Sequence, residues 1–202
     1  MPYELIITEK PSVAKKMADA LADGKPVQKR EGQVSYYLVT YGNKDIVVAC
    51  AVGHLFTVTE KTKEKWTYPI FDVKWEESAK VSKDAAFTKK YSTVIKKLAK
   101  DANEFTVATD YDIEGEVIGY CAVKYLCKKN DANRMKFSAL TRQDLRKAYE
   151  NKAKTLNWGQ VNAGTTRHEL DWYYGINLSR ALSQAVRKAG RFKILSSGRV
   201  QG

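Results

Sequence analysis

The stretch LIITEKPSVAKK, residues 5–16, contains the change from strand to helix on which the fold depends. Its first three residues are apolar and predict a short, buried strand. Pro11 and Ser12 then favour the start of a helix, because proline suits the first helical turn and serine caps free amides. An acid and a base, Glu9 and Lys10, lie between the strand and the helix.

Strand and helix patterns alternate over roughly the first 140 residues. Short apolar runs predict strands at 3–8, 34–42, 44–53, 105–109 and 134–140, and helical spacing predicts helices at 12–22, 87–100 and 114–126. Gly42 and Asn43 predict a hairpin, and residues 54–85 predict irregular structure with short strands. The alternation predicts an α/β fold with a largely parallel sheet, followed from Thr141 by a mostly helical region.

The charge distribution points to a polyanionic partner. The net charge is +12, and the segment from Thr141 onward holds twelve Lys or Arg against four Asp or Glu, which gives +8. DNA or RNA is the natural partner for such a region, although a solvated basic face has the same pattern.

Cysteine spacing and hydropathy exclude several classes of protein. Cys50, Cys121 and Cys127 show no CxxC spacing, which argues against a zinc site or a disulfide framework and favours a reducing cytoplasm. No apolar run approaches the roughly 20 residues of a membrane span, and no basic segment precedes the first apolar run as it would in a signal peptide. We therefore expect a cytoplasmic protein without a membrane partner.

The stretch FTVATDYDIEGEVIGY, residues 105–120, contains a cluster of acids. Alternate residues of an extended chain point the same way, so Asp110 and Asp112 should converge, with Glu114 joining them where the helix begins. Two carboxylates ~4 Å apart repel by about 4 kcal/mol at an effective dielectric of 20, so the cluster favours a hard cation such as Mg²⁺. Acids that cap the helix give the same pattern. The spacing argues against a calcium EF-hand, because the twelfth position from Asp110 is Cys121 rather than a carboxylate and a strand precedes the motif.

Glu9 and Lys10 follow one predicted strand, and the acids that begin at Asp110 follow another. We expect the two groups to lie close together, because parallel strands place their carboxyl ends at one edge of the sheet. Glu9 can pass a proton to or from an oxygen, and Lys10 can hold a phosphate. A metal opposite them can position the same phosphodiester, so the sequence predicts phosphoryl-transfer chemistry. A polar helix entry is the alternative interpretation of Glu9 and Lys10.

These motifs resemble, in the same order, the N-terminal part of type IA DNA topoisomerases, which begins with a Toprim domain. The archaeal or topoisomerase III-like branch is the most similar. The resemblance covers residues 4–202 and is carried by EKPSVAKKMADAL, VGHL, ATDYDIEGEVIG, RMKFSALT, ELDWYYGINLSRAL and LSSGRVQG. It implies a Rossmann-like Toprim domain with a mostly parallel sheet over residues 1–142. It also implies, over residues 143–202, the first part of a helical, winged-helix-like domain that binds single-stranded DNA.

The resemblance implies a reaction as well. In this family a tyrosine cuts one strand of underwound DNA through a 5′-phosphotyrosine, the other strand passes, and the break is resealed with Mg²⁺ and without ATP. By this match Glu9 is the acid and base at the leaving 3′-oxygen, and Lys10 contacts the scissile phosphate. His54 lies near the DNA or the active site, with a structural histidine as the alternative. The implied metal ligands are Asp110, Asp112 and Glu114.

Other positions of the family line a groove for single-stranded DNA. The matching residues here are Arg167, Asp171, Ser179, Arg180, Ser197, Arg199 and Gln201. Arg167 and Arg199 are expected to bind phosphates. The run Trp172, Tyr173 and Tyr174 either offers stacking surfaces for bases or packs the core of its helix.

Two departures from the family pattern affect the prediction. Ile113 stands where many members have arginine, which leaves the metal triad intact and removes a positive charge. The family's nucleophilic tyrosine lies beyond the LSSGRVQG stretch, so we expect no tyrosine here, including Tyr111, to form the covalent link. We therefore expect a fragment that cannot relax DNA alone and that acts with the remaining domains of a monomeric, nucleoid-associated enzyme.

Two other functions share these features. A Toprim primase or nuclease has the same glutamate and paired aspartates, but it lacks the LSSGRVQ stretch and the basic helical segment. A module that only binds single-stranded DNA needs the basic region alone, and its affinity would fall steeply with salt.

Overall fold

The computed structural model describes residues 2–62 and 66–198 of the 202-residue chain. Its strands are β1 Tyr3–Thr8, β2 Val27–Glu31, β3 Val34–Tyr41, β4 Lys44–Cys50, β5 Phe56–Glu60, β6 Val73–Glu77, β7 Ala102–Ala108 and β8 Asn133–Arg134. Its helices are α1 Pro11–Leu21, α2 Ser78–Val81, α3 Thr88–Leu98, α4 Ile113–Cys121, α5 Arg142–Glu150 and α6 Trp158–Lys188. A π-helical turn, Ala122–Leu126, continues α4.

The chain divides into two compact units. Unit 1 comprises Met1–Phe56 and Glu77–Gly164, and unit 2 comprises Thr57–Glu76 and Thr165–Gly202. The predicted domain boundary at residue 142 follows the family resemblance and stays a prediction. In the part of the chain that the structure describes, no helix has both the length and the apolar character of a membrane span.

Unit 1 contains a six-stranded sheet in the order β2-β3-β4-β1-β7-β8. β4, β1, β7 and β8 run parallel, whereas β2 and β3 are antiparallel to their neighbours. The predicted α/β fold is confirmed. The sheet is mixed because the predicted hairpin forms at Gly42, whose φ of 57° suits a tight turn. The edge strand β2 was missed because its residues, VQKRE, lack an apolar alternation.

Strand β1 lies at the centre of this sheet, between β4 and β7. Leu5, Ile6 and Ile7 are fully buried, and each such side chain contributes roughly 1.5–3 kcal/mol relative to exposure. Helices α1 and α5 pack together on one face of the sheet, while α3 contacts β4 and α4 contacts β7. The centre of the sheet is therefore a rigid base for the residues that follow β1 and β7.

Helix α1 begins at the proline that the sequence indicates. Pro11 occupies the first turn, and Lys10 is the N-cap residue, without a capping hydrogen bond from its side chain. The prediction that Ser12 caps the helix was wrong, because Ser12 already lies inside the first turn. Val13, Met17 and other apolar residues of α1 are buried, as the helical spacing predicts.

Candidate active site

Three neighbouring parallel strands of unit 1 end at the same level. Thr8 of β1 pairs with Cys50 of β4 on one side and with Ala108 of β7 on the other. The residues that follow these strands therefore emerge at one edge of the sheet, which is where ligands bind in open α/β sheets.

The segment after β4 is tied to the end of β1. The backbone amide of Ala51 donates to the carbonyl oxygen of Thr8 at 2.8 Å, and that of Gly53 donates to the carbonyl oxygen of Glu9 at 3.2 Å. Val52 has a φ of 56°, a left-handed conformation that costs a residue with a Cβ roughly 1–2 kcal/mol. Strain of this kind is typical of functional sites. Sequence reasoning missed it because valine favours extended backbone.

Glu9 and Lys10 lie beside the first acid of the second cluster. Lys10 Nζ donates to Asp110 Oδ2 at 2.8 Å and lies 3.7 Å from Glu9 Oε1. Burial raises the pKa of Glu9, and the negative charge of Asp110 raises it further, while the charge of Lys10 opposes both. Glu9 therefore keeps a proton to a higher pH than an ordinary glutamate, which favours a role in proton transfer.

The carboxylate loop, residues 109–114, comprises the connection from β7 to α4 and the first two residues of that helix. Asp112 is the N-cap residue of α4, and its Oδ1 accepts a hydrogen bond from the amide of Gly115 at 2.7 Å. Glu114 Oε2 lies 3.0 Å from His54 Nε2, so the structure places His54 at this edge of the sheet as well. The hydrogen bond from Gly115 confirms the interpretation that Asp112 caps the helix.

The predicted triad converges less closely than the sequence indicates. Among the described residues, Asp110, Asp112 and Glu114 do not bring three carboxylate oxygens to within 4.8 Å of one another. The extended alternation ends where α4 begins, at Ile113, and the three carboxylates have different partners: Lys10, the amide of Gly115, and His54.

The charge at this edge nevertheless fits a cation. Two carboxylates lie beside Lys10 and two more follow in the carboxylate loop, so these five side chains have a formal excess of three negative charges. Partly exposed carboxylate oxygens are the donors that Mg²⁺ prefers. The acids of the set are Glu9, Asp110, Asp112 and Glu114.

A glycine allows the carboxylate loop to fold back onto α4. A Cβ at Gly115 would lie 2.1 Å from the carbonyl oxygen of Asp110, closer than any side chain permits. The glycine of the DxDxEG motif is therefore a requirement of the backbone at this position.

Glu116, which follows the DxDxEG motif directly, forms a buried pair with a distant arginine that sequence reasoning missed. Glu116 and Arg134 are both 0% exposed and lie 2.7 Å apart. Residues two apart on a helix point roughly 200° apart, so Glu116 turns away from Glu114 into the interior. The helical period beyond Asp112 was the available signal for Glu116, whereas no sequence signal identified its partner.

Tyr111 does not join the carboxylates. Its hydroxyl accepts a hydrogen bond from Asn157 Nδ2 at 3.3 Å, and Lys136 Nζ lies 4.8 Å from the centre of its ring. Hydrogen bonds from Lys136 and Asn157 lower the pKa of Tyr111. These contacts keep the ring beside Arg134, 5.3 Å from its guanidinium carbon.

In unit 2 the predicted DNA-binding residues fall into separate groups. Arg167 Nε lies 3.8 Å from Asp171 Oδ2, one helical turn away, and both side chains are exposed to solvent. Arg180 instead donates from both terminal nitrogens to Glu60, at 2.9 and 3.0 Å, with little exposure of either side chain.

Two predicted residues of unit 2 bind each other. The amide of Ser197 donates to Ser179 Oγ at 2.9 Å, and the hydroxyl of Ser179 donates back to the carbonyl oxygen of Ser197 at 3.2 Å. Together with a matching pair between Ser183 and Leu195, this fastens the segment that follows α6 to the helix. Arg199 and Gln201 lie outside the described residues.

The aromatic run of α6 is divided between packing and exposure. Tyr173 donates to the carbonyl oxygen of Phe71 at 3.0 Å and packs against its ring, with centroids 5.9 Å apart. Tyr174 is 52% exposed. Tyr173 therefore packs within unit 2, whereas about half of Tyr174 is exposed to solvent.

Comparison with known proteins agrees with the geometry. Residues 4–140 match the family described as Toprim domain, and residues 155–202 match the family described as DNA topoisomerase. DNA topoisomerase 1 of Methanocaldococcus jannaschii is 54% identical over 199 residues, which are 98% of this chain and 26% of the relative. DNA topoisomerase 1 of Pyrococcus horikoshii is 49% identical over 201 residues, which are 98% of this chain and 29% of the relative.

A solved structure shows the same fold. Full-length topoisomerase I from Thermotoga maritima superposes with a TM-score of 0.56 at 22% identity, over 88% of this chain and 26% of that protein. The chain thus spans little more than a quarter of the length of these proteins. Residues 155–202 match the second family over less than a quarter of the chain, whereas the Toprim match covers more than half of it, so the chain belongs to the Toprim domain family.

Proposed function

We propose that this chain forms the metal-binding and acid–base half of the active site of a type IA DNA topoisomerase, with part of its groove for single-stranded DNA. The observation that carries the proposal is the alignment of three strand ends. It gathers Glu9, Lys10 and the carboxylate loop at one edge of the sheet. The relatives named DNA topoisomerase 1, which match almost the whole chain, support it.

Each side chain of this edge has a part in the proposed reaction. Asp110, Asp112 and Glu114 hold Mg²⁺, which when bound would neutralise and orient a phosphodiester. Glu9 gives a proton to the 3′-oxygen as the phosphorus–oxygen bond breaks and takes it back on resealing. Lys10, with 54% of its side chain exposed, contacts the scissile phosphate.

The DNA contacts proposed for unit 2 are of two kinds. The exposed Arg167 binds phosphate, with Asp171 beside it. Arg180 and Ser179 shape the groove with their side chains and Ser197 with its backbone, since these groups already bind other parts of unit 2. Arg199 and Gln201 are proposed from the family resemblance alone, and His54 is proposed to contact DNA from unit 1.

The covalent step is proposed to need a tyrosine from outside this chain. Tyr111 is the only tyrosine within the carboxylate loop, and its hydroxyl is engaged by Asn157. We therefore propose that the isolated chain does not relax DNA and works with further domains of the same enzyme, as a monomer associated with the nucleoid in the cytoplasm.

A chimera tests the proposal. Residues 1–202 replace the matching segment of the M. jannaschii relative, and relaxation of negatively supercoiled plasmid is measured with Mg²⁺. The chimera should relax DNA, and Glu9→Gln should slow the reaction by about 10²–10⁴-fold, the usual contribution of a general acid. A folded chimera without activity, or full activity after Glu9→Gln, would contradict the assignment.

The isolated chain separates the alternative functions. We expect it to bind single-stranded oligonucleotides with an affinity that falls steeply with salt, and Arg167→Ala should weaken binding. Relaxation of DNA by the chain alone would contradict the proposal that the nucleophilic tyrosine comes from outside this chain. Metal-dependent cutting or primer synthesis would instead favour a Toprim nuclease or primase.

A further inference from the structure

Arg134 and Glu116 form an ion pair that is completely buried in unit 1. Both side chains have 0% exposure, and Arg134 Nε donates to Glu116 Oε2 at 2.7 Å. Removing two charges from water costs several kcal/mol per ion, and an apolar pair of similar volume is often equally stable or more so. Stability alone therefore does not account for this pair.

The remaining guanidinium nitrogens bind backbone carbonyl groups after β7 and after β8. Nη1 of Arg134 donates to the carbonyl oxygens of Thr109 at 2.9 Å and Met135 at 2.7 Å. Nη2 donates to the carbonyl oxygen of Asp110 at 2.8 Å. Thr109 and Asp110 are the first two residues of the carboxylate loop, so the arginine fixes the point at which the loop leaves the strand.

Glu116 holds the other end of the loop. It lies in the first turn of α4, and its Oε1 accepts a hydrogen bond from the backbone amide of Asn157 at 2.7 Å. The pair therefore joins β7, α4 and the segment before α6. Both carboxylate oxygens and all three guanidinium nitrogens have partners, so the buried charges are satisfied.

The backbone of Arg134 is itself fixed. Its amide donates to the carbonyl oxygen of Ala153 at 2.8 Å, and the amide of Ala153 donates back at 2.9 Å. On its other side β8 pairs with β7, with Arg134 opposite Val107. The short strand β8 thus carries the arginine as a rigid support for the loop.

We propose that Arg134 and Glu116 are positioning residues that set the geometry of the carboxylate loop for a divalent cation. The inference rests on the metal site of the proposed function and extends it to two residues that would not touch the metal. A planar guanidinium can bind a carboxylate and three carbonyl groups at once. The ammonium of lysine is a compact charge with three donors and cannot reproduce this arrangement.

The test measures the affinity of the 202-residue chain for Mn²⁺ from the electron paramagnetic resonance signal of the free ion, with unfolding by urea in metal-free buffer as a second readout. Arg134→Lys and Glu116→Gln should each raise the Kd for Mn²⁺ by about 10–100-fold, the usual effect of losing an outer partner of a metal site. Arg134→Lys keeps a positive charge beside Glu116, and Glu116→Gln keeps an oxygen for the amide of Asn157.

Glu4→Gln is the matched control. Glu4 is also a buried carboxylate of unit 1, with hydrogen bonds from Thr106, Tyr149 and Lys152, but it lies in β1 away from the carboxyl ends of the strands. We expect this variant to lower the urea midpoint and to leave the Kd for Mn²⁺ within about twofold of the unaltered chain, because it contacts no part of the loop.

The outcomes separate the inference from the proposed function. Weaker Mn²⁺ binding in the folded Glu116→Gln or Arg134→Lys variant, with normal binding in the control, supports the positioning role. Folded variants with unchanged Kd, or an equal loss in the control, overturn it while the metal site stands. An unaltered chain that binds no Mn²⁺ overturns the metal site and the positioning role together.

Discussion

Strands β1 and β7 have acidic residues at both ends, and the two ends differ in how far nearby bases neutralise these acids. At the amino end, Glu4 and Glu104 are neighbours in register across the two strands. Lys152 contacts both carboxylates, lying 3.1 Å from Glu104, and Tyr149 donates to Glu4 at 2.6 Å. Burial raises the pKa of Glu104, but Lys152, Lys44 and Asn133 together outweigh it and hold that pKa below its ordinary value.

At the carboxyl end the acids outnumber the bases. Lys10 binds Asp110 and lies near Glu9, and the pKa of Glu9 is raised through burial and the charge of Asp110. The same two strands thus have a compensated end, which stabilises the fold, and an uncompensated end, which is suited to a cationic ligand. Burial raises the pKa of both Glu104 and Glu9, but the opposing lysine contacts and hydrogen bonds outweigh it only at Glu104.

Lys152→Met should have the largest effect on stability. It leaves the buried Glu4 without its lysine, while Lys44 still lies 3.6 Å from Glu104, and breaking a buried pair of this kind costs about 3–5 kcal/mol. Urea unfolding at pH 7 measures the loss. The matched variant Lys10→Met removes an exposed lysine from the other end and should leave the midpoint close to that of the unaltered chain. Equal losses of stability in the two variants would contradict the claim that only the amino end of β1 and β7 is stabilised by its lysine.

Glu104→Gln should have a smaller effect that depends on pH. Because the pKa of Glu104 is lowered on folding, its charged form stabilises the fold above the ordinary value of 4.5, and this contribution disappears as the pH falls through the folded pKa. With a third of the side chain exposed, we expect a loss of about 1 kcal/mol or less at pH 7. The urea midpoints of the variant and the unaltered chain should converge at low pH.

Glu9→Gln should have the smallest effect on stability, and of opposite sign. The pKa of Glu9 is raised, so its neutral form is favoured below the ordinary value of 4.5, and that advantage disappears as the pH rises through the folded pKa. In metal-free buffer the variant should therefore be slightly more stable at pH 7, and the gain should vanish in acid. A variant less stable at pH 7 would mean that Glu9 belongs to a compensated site.

The elements that could be predicted from sequence are those with local signals. Apolar runs followed directly by Glu9 and by Asp110 identified β1 and β7, and the parallel order of an α/β fold brought their ends together. The DxDxEG pattern indicated the start of α4, where Asp112 does cap the helix.

The features that could not be predicted from the sequence depend on contacts between residues far apart in the chain. Arg134 pairs with Glu116 across 18 positions, and Arg180 pairs with Glu60 across 120. The extended alternation also suggested a converging triad, whereas the helix that starts at Ile113 turns Glu114 toward His54. A charge pattern shows that acids are present but does not show which of them are buried and paired.

Stability as a function of Mg²⁺ tests the central claim most directly. A ligand that binds only the folded state stabilises it in proportion to the logarithm of its concentration above the Kd. We predict that the double variant Asp110→Asn/Asp112→Asn unfolds at a higher urea concentration than the unaltered chain in metal-free buffer. With rising Mg²⁺, the unaltered chain should become steadily more stable while the variant does not change. A midpoint of the unaltered chain that does not respond to Mg²⁺, or an equal response in the variant, would contradict the account.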